Sequence, residues 1–298
     1  MGFRTVVITT HCKCTYRNGY MVIQAEDQKM IHLSEIDTVI FESTAVSVSC
    51  VLLNELSQQK ICMVFCNERH LPQGSFVSLG LNYASAGRII TQAAWTDLSK
   101  GNAWMIIARH KISKQAEVLQ NFGCADEALL IASYLSQVLP DDQTNREGFA
   151  AKVYFNALFG DGFVRRNKSY ENAECNACLD YGYSILLAIV AREIVATGYE
   201  LALGIHHRGS SNPYNFACDI MEPFRPLVDI IVLQNYSGEF DSHMKHCLWN
   251  LGNIEVMFHE SKSFLCAAIS AYLHDICKCM DGDCTEIPEY KILWKQGS

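Results

Sequence analysis

The hydrophobic pattern of the chain changes once, near residue 80, and this change limits the folds that the chain can adopt. The residues before it form short apolar segments typical of strands, and Asn18-Gly19 between two of them is the strongest short signal for a β-hairpin. One helical segment, VLLNELSQQ at 51–59, lies among these strands. We therefore predict an α+β protein, with a small N-terminal β-rich domain at residues 1–75 and a larger all-α domain at residues 84–298.

Long helical patterns dominate from about residue 84 onward. Gly123, Gly160 and Gly198 follow three of the apolar-periodic segments, where helices commonly need a glycine to end. The predicted helical segments are GRIITQAAWTDLSK (87–100), NAWMIIARHKISKQAEVLQNFG (102–123), ADEALLIASYLSQVL (125–139), TNREGFAAKVYFNALFG (144–160) and ACLDYGYSILLAIVAREIVATG (177–198).

The chain shows no pattern of a membrane span or of an export signal. No segment approaches the roughly 18 to 20 uninterrupted apolar residues that span a bilayer, and residues 1–14 resemble a strand rather than a signal peptide. We therefore expect a cytoplasmic protein whose fourteen cysteines are mostly free thiols that pack as small apolar side chains. Structural zinc is the alternative, and its candidate ligands are Cys175 with Cys178, and Cys277, Cys279 and Cys284 with His274.

The net charge of −8 counts against a general nucleic-acid binder, because such proteins are usually basic. Two short basic runs, RHKISK at 109–114 and RRNK at 165–168, are most simply solvated faces. If the protein binds DNA, its positive surface must be segregated from the acidic one, or a partner must supply part of it. The charge balance therefore leaves DNA binding open.

Glu147 has two competing interpretations. Thr144 and Glu147 have the spacing of a capping box, in which the glutamate reaches back to the start of its own helix. One stripe of the same helix contains Glu147, Ala151, Tyr154 and Leu158. Because most of this stripe is expected to face the core, a carboxylate at its head is costly unless a partner or an ion compensates it. The pattern favours neither interpretation.

Two adjacent histidines and an acidic helix face follow within residues 204–229. Because neighbouring residues of an extended segment point to opposite sides, at most one of His206 and His207 is expected to face a given site. Three carboxylates on one helix face repel each other unless they are solvated, paired with cations such as Arg225, or bound to a metal. A solvated face is the ordinary outcome, with a distortion at the two prolines of the segment. The face contains Asp219, Glu222, Pro226 and Asp229.

Several separate stretches, in this order and at this spacing, resemble the CRISPR-associated protein 1 family, the integrase of spacer acquisition. They are NREGFAAKVYFNALFG, NACLDYGYSILL, GIHH and DIMEPFRPLVD. The N-terminal RTVVITTHCK, the HLSEIDTVIFES strands and the closing IPEYKI resemble type II members in particular. The resemblance runs nearly end to end, and it implies an N-terminal β-domain followed by a helical domain.

The resemblance also implies a metal-binding, catalytic triad of a glutamate, a histidine and a second acidic residue. By motif, the glutamate falls on Glu147 in NREG, the histidine on His207 at the end of G-x-x-H, and the acid on Glu222 in DIMEPFRP. Asp219 matches a further acidic position and is expected to hold a ligand in place. Two carboxylates and one neutral imidazole suit Mg²⁺ or Mn²⁺ and leave positions open for water and a phosphate oxygen.

The function that the resemblance implies is a metal-dependent DNA integrase and endonuclease of CRISPR adaptation, in which a 3′-hydroxyl of short incoming DNA attacks a phosphodiester at the edge of a repeat. The expected partners are double-stranded DNA (the incoming spacer and the repeat array), a second copy of the chain in a homodimer, a dimer of CRISPR-associated protein 2 and, as further candidates, other type II acquisition proteins. No membrane partner is expected. A nuclease that does not integrate and a catalytically silent assembly protein are the alternatives. Phosphate contacts are predicted for Arg88, Arg146, Arg165, Arg166, Lys168 and Arg208.

Overall fold

Short strands occupy the N-terminal quarter of the chain, and helices occupy most of the remainder. The computed structural model describes residues 2, 4–76, 85–165, 172–282 and 287–294. The strands are β1 (Arg4–Ile8), β2 (Cys12–Arg17), β3 (Tyr20–Gln24), β4 (Gln28–His32), β5 (Ile36–Phe41), β6 (Val46–Val48), β7 (Cys62–Cys66), β8 (Pro72–Ser75), β9 (Glu255–Phe258), β10 (Ser261–Phe264) and β11 (Lys291–Ile292). The helices are α1 (Cys50–Gln58), α2 (Ser85–Ala93), α3 (Asp97–Asn121), α4 (Ala125–Ala132), α5 (Arg146–Phe159), α6 (Ala173–Thr197), α7 (Asn215–Met221), α8 (Arg225–Asn235), α9 (Ser242–Trp249) and α10 (Leu265–Met280).

The first sheet is built on the hairpin predicted at Asn18-Gly19. Both residues have positive φ, 49° and 85°, as a two-residue type I′ turn requires. β2 and β3 pair antiparallel with Arg17 opposite Tyr20, and β4 and β6 complete the sheet in the order β4-β3-β2-β6. The hairpin prediction is confirmed.

The second sheet connects the β-rich part of the chain to the helices. Its order is β1-β5-β7-β8, and β1, β5 and β7 are parallel. All six residues of β5 are buried. Val39 packs into a small core that includes Leu52 and Leu56 of α1, whereas the next residue, Ile40, packs into the core of the helical region. Because side chains alternate along a strand, one strand contributes to two cores.

A buried ion-pair cluster adds a polar contact between this sheet and α6. The Arg192 guanidinium donates to the backbone carbonyl and to the carboxylate of Asp37 in β5, both at 3.0 Å. Glu193 lies beside it and pairs with the same guanidinium. The two parts of the chain are therefore joined by compensated charges as well as by apolar packing.

Two 25-residue helices, α3 and α6, form the frame of the helical region. α3 packs against α4, α5, α8 and α10, and α6 packs against α7, α8, α9 and α10. Gly123, Gly160 and Gly198 follow the ends of α3, α5 and α6 and all have positive φ. The predicted glycine caps are confirmed, because a side chain would strain the backbone in this conformation.

Two predicted helices are shorter than their sequence pattern indicated. The segment 87–100 breaks at Thr96, whose hydroxyl accepts a hydrogen bond from the Ser99 N–H and caps the start of α3. The segment 125–139 is α-helical only to Ala132 and continues in 3-10 turns. In the first case a side-chain cap competes successfully with continuation of the apolar period.

A three-stranded sheet lies within the mainly helical region, where the sequence predicts helices. β9 pairs antiparallel with both β10 and β11. The turn between β9 and β10 places His259 and Glu260 at positive φ, where asparagine or glycine is the usual signal of a hairpin. Four-residue strands joined by such a turn carry little sequence signal, so this sheet is an addition that only the structure reveals.

Many of the cysteines pack as apolar side chains. Within the described ranges they are free thiols. Burial raises the pKa of Cys62 and of Cys178 to about 12, so these thiols stay protonated at neutral pH and behave as small hydrophobic groups.

The α+β class is confirmed. The division into domains at residues 1–75 and 84–298 stays a prediction. None of the helices that the structure describes is long and apolar enough to cross a membrane.

Candidate metal centre

Glu147 does not cap its own helix, because a neighbouring aspartate occupies that role. The Asp142 carboxylate accepts hydrogen bonds from the backbone N–H groups of Arg146 and Glu147, each at 2.9 Å, and so caps the start of α5. The Thr144 hydroxyl donates instead to the carbonyl of Gln137, at 3.0 Å. The capping-box interpretation is therefore wrong, and the Glu147 side chain extends to a partner outside its own helix.

That partner is Lys111 of α3. The Lys111 ammonium contacts Oε1 of Glu147 and, at 2.5 Å, Oε2 of Glu222. The lysine side chain is only 9% exposed. Burial lowers the pKa of Lys111, but the charges of Glu147 and Glu222 more than offset this effect and raise it above its ordinary value. The ammonium is therefore charged. It brings together two carboxylates that are 75 residues apart in sequence.

The role of Lys111 was missed because the run 109–114 was expected to be a solvated face. Lys111 and Lys114 are instead buried. They continue a stripe of α3 in which Ile107 and Val118 are also fully buried, at the helical spacing i, i+4, i+7 and i+11. This spacing was the available signal, since two lysines inside an apolar stripe require acidic partners.

The acidic face of the segment 219–229 is buried, so the solvated face expected from the sequence is wrong. Asp219, Glu222 and Asp229 are 0%, 5% and 1% exposed. A 3-10 turn at Glu222–Phe224 separates α7 from α8, which agrees with the distortion expected at the prolines. Each carboxylate has its own set of donors.

Glu222 is compensated by cations. Its Oε1 accepts from the Arg225 guanidinium at 2.7 Å, and its Oε2 faces Lys111. Burial alone would raise the pKa of Glu222, but Arg225 and Lys111 together lower it to about 2. Glu222 is therefore a carboxylate throughout the physiological pH range.

Asp219 organises the histidine loop. Its carboxylate accepts from the backbone N–H groups of Ile205, His206 and His207, at 2.5, 3.2 and 3.0 Å, and contacts Nδ1 of His207 at 2.6 Å. A side chain at Gly204 would collide with the His207 carbonyl and with this carboxylate, so the loop requires glycine there. Asp219 therefore fixes the orientation of the His207 side chain.

The rings of the two histidines contact different aspartates through Nδ1, although both rings pack against Trp104. His206 stacks on Trp104 with ring centroids 4.1 Å apart, and its Nδ1 contacts Asp141 at 2.8 Å. The hydrogen bond with Asp219 is the main cause that raises the pKa of His207, and the charge of Glu222 adds to it. Because Nδ1 of His207 faces Asp219, Nε2 is the ring nitrogen left for a ligand.

The donor set fits a hard divalent cation in part. Glu147 and Glu222 converge on one positive group, and carboxylate oxygens are ligands that Mg²⁺ and Mn²⁺ accept. Across the residues that the structure describes, no three histidine, cysteine, aspartate or glutamate side chains are grouped closely enough to hold a metal ion. The structure thus joins the two glutamates through Lys111 and fixes His207 against Asp219. Ligation by the complete triad stays a prediction.

Four of the arginines predicted to contact DNA lie in the described part of the chain and have protein partners. Arg88 donates to the carbonyl of Thr197, Arg165 contacts Asn176 and Asp180, and Arg208, which is exposed, lies 3.4 Å from Asp97. Arg146 lies over the rings of Tyr134 and Phe149. Arg166 and Lys168 lie outside the described residues. Contacts of this set with DNA stay a prediction.

Comparison with known proteins identifies the family. The family model described as CRISPR associated protein Cas1 matches residues 5–244. This chain belongs to the Cas1 family. It is 32% identical over 237 residues to the CRISPR-associated endonuclease Cas1 of Neisseria meningitidis, covering 79% of this chain and 77% of the relative. It is 26% identical over 240 residues to CRISPR-associated endonuclease Cas1 2 of Pyrobaculum aerophilum, covering 77% and 81%.

Solved structures share the Cas1 fold. A casposase bound to integration product aligns with a TM-score of 0.77 at 16% identity, covering 99% of this chain and 96% of that one. A chain of a Cas6-RT-Cas1–Cas2 complex aligns with a TM-score of 0.70 at 17% identity, covering 94% of this chain and 35% of that one. At these identities the likeness shows the fold.

Proposed function

We propose that this Cas1 protein is a divalent-metal-dependent DNA integrase and endonuclease of CRISPR adaptation. The observation that carries the proposal is the approach of Glu147 and Glu222 to a single cation, at positions that the family motifs indicate. The charge of Glu222 also acts on His207. Family membership supports the nuclease activity, because the curated relatives are named endonucleases.

The residues of the proposed site have separate roles in binding metal and in positioning its ligands. Glu147 and Glu222 would bind Mg²⁺ or Mn²⁺ through carboxylate oxygens, and Nε2 of His207 would complete the set while Asp219 holds the ring. The chemistry that such an ion would supply is that of a Lewis acid, which would polarise the scissile phosphodiester and stabilise charge on the attacking and leaving oxygens. Arg225 keeps Glu222 ionised and in place.

The reaction is a transesterification. The 3′-oxygen of the incoming DNA forms a bond to phosphorus, and the bond from that phosphorus to the 3′-oxygen of the repeat strand breaks. The attacking hydroxyl loses a proton and the leaving oxygen gains one, so the number of phosphodiesters is unchanged. With water as the nucleophile, the same site hydrolyses the strand.

The proposed assembly contains more than this chain. We infer a homodimer that works with a dimer of CRISPR-associated protein 2 on double-stranded DNA, in the cytoplasm of a prokaryote and with other type II acquisition proteins as further partners. The inference is supported by the fold that the chain shares with a component of a Cas6-RT-Cas1–Cas2 complex.

A strand-transfer assay on a repeat-containing duplex tests the function. E147A, H207A and E222A are expected to lose integration with the fold and the dimer retained. H259A is a matched control for H207A, because His259 forms a second histidine–aspartate pair, with Asp275 at 2.8 Å, and should retain activity. A donor with blocked 3′ ends must stop integration. Cleavage without joined product even from the unblocked donor would indicate a nuclease that does not integrate, and full activity of all three variants would indicate an assembly protein.

A further inference from the structure

Lys111 occupies the position between the two carboxylates of the proposed metal site. Its ammonium contacts Oε1 of Glu147 and Oε2 of Glu222. The Lys111 side chain is 9% exposed and that of Glu222 is 6% exposed, so solvent screens these charges little. Two carboxylates this close would repel each other without a cation between them.

On Glu222, the oxygen that Lys111 contacts is the one left for a metal. The other oxygen of Glu222, Oε1, is engaged by Arg225 at 2.7 Å. A divalent ion that binds both glutamates must therefore compete with the Lys111 ammonium for Oε2 of Glu222, because two positive groups at one oxygen repel each other.

We propose that Lys111 is a resident cation of the metal site, which holds Glu147 and Glu222 together in the metal-free protein and which a divalent ion must displace. This inference rests on the proposed function, because it takes the two glutamates as metal ligands. Lys111 is thus a positioning residue that lowers the affinity for metal and keeps the ligands preorganised before metal arrives.

Lys114 provides a matched control on the same helix. It lies one turn further along α3, and its side chain is 5% exposed, similar to that of Lys111. Its partners are Glu117, at 2.8 Å, and Glu289, at 3.4 Å, which form a separate ion-pair cluster. Removal of its charge should cost stability without changing the metal site.

The test is Mn²⁺ binding to the DNA-free, full-length protein, measured by electron paramagnetic resonance of the unbound ion, together with thermal midpoints with and without Mn²⁺. K111M is expected to bind Mn²⁺ roughly tenfold more tightly than the wild type, because a repelling charge beside the ligands is removed. Its midpoint should fall without metal and recover with Mn²⁺, so that the metal-induced shift exceeds that of the wild type. K111R, which retains the charge, should stay within about threefold of the wild-type affinity. K114M should have a lower thermal midpoint than the wild type but the same affinity for Mn²⁺.

The outcomes separate this inference from the proposed function. Should K111M fail to fold, K111Q keeps hydrogen-bond donors between the carboxylates and is held to the same expectation. Suppose that the wild type binds Mn²⁺ and E147Q does not. Unchanged or weaker Mn²⁺ binding by the folded Lys111 variant then overturns the role of Lys111 and leaves the metal site intact. Absence of Mn²⁺ binding in the wild type overturns the metal site and with it this inference.

Discussion

Glu222 and Asp229 lie seven residues apart on one buried face, yet their environments shift their pKa values in opposite directions. Glu222 is held by Arg225 and Lys111, and its pKa falls to about 2. Asp229 accepts hydrogen bonds from the hydroxyls of Tyr154 and Tyr183, and burial raises its pKa to about 6. Cations keep the first carboxylate charged and ready for a ligand, whereas neutral donors make the second a structural acceptor.

The largest expected difference between the two carboxylates is in activity. E222Q should lower strand transfer on the order of 1,000-fold, because a neutral amide neither binds a divalent ion well nor balances Lys111. D229N, an equally buried change of acid to amide, should stay within about tenfold of the wild type, since an amide can still accept from one tyrosine. Initial rates at saturating Mg²⁺ check this pair. Equal losses in both variants would remove the functional distinction.

The second difference is in the pH dependence of stability. The pKa of Asp229 rises from 3.8 to about 6 on folding, so its contribution is fully present below pH 3.8 and is lost as the pH rises to 6. The stability of the wild type relative to D229N should therefore fall by about 3 kcal/mol between pH 3.5 and pH 7. Urea unfolding of both proteins across this range measures the change.

Glu222 should show the reverse sign. Its pKa falls from 4.5 to about 2 on folding, so its contribution is present above pH 4.5 and is lost as the pH falls toward 2. The stability of the wild type relative to E222Q should accordingly decrease as the pH falls from 4.5 toward 2. If the stability differences of D229N and of E222Q from the wild type changed with pH in the same direction, the contrast between cationic and neutral donors would be contradicted.

The smallest expected effect concerns the tyrosine donors of Asp229. Y154F removes one hydroxyl, 3.0 Å from the carboxylate, and should cost about 1 to 2 kcal/mol of unfolding free energy while the pKa of Asp229 rises further. Activity should stay within a few-fold of the wild type, because Glu222 keeps its cations. Y236F is the control, since that exposed hydroxyl donates to the nearby Gly238 carbonyl. A loss of strand transfer as large as that of E222Q would show that the two carboxylates act as one unit.

The local features of the fold were predictable from short stretches of sequence. The turn at Asn18-Gly19 and the helix ends at Gly123, Gly160 and Gly198 depend on backbone conformations that glycine and asparagine adopt at little cost. The sheet of β9, β10 and β11 was not predictable in this way, because its turn uses His259 and Glu260 instead.

The candidate site was predictable only as a set of positions. Motif spacing pointed to Glu147, His207 and Glu222, but it could not indicate that Asp142 caps α5 in place of Glu147. Nor could it indicate that Lys111 lies between the two glutamates.

The sequence by itself determined the α+β class, the family and the chemical types available at the site, because these depend on local pattern and residue identity. Only the tertiary structure decided in which direction the pKa of Glu222 and of Asp229 shifts, and that Glu147 and Glu222 share Lys111. The reason is physical: the pKa of a buried acid depends on the groups packed against it, and these groups are brought together by the packing of α3 against α5 and against the turn at Glu222–Phe224.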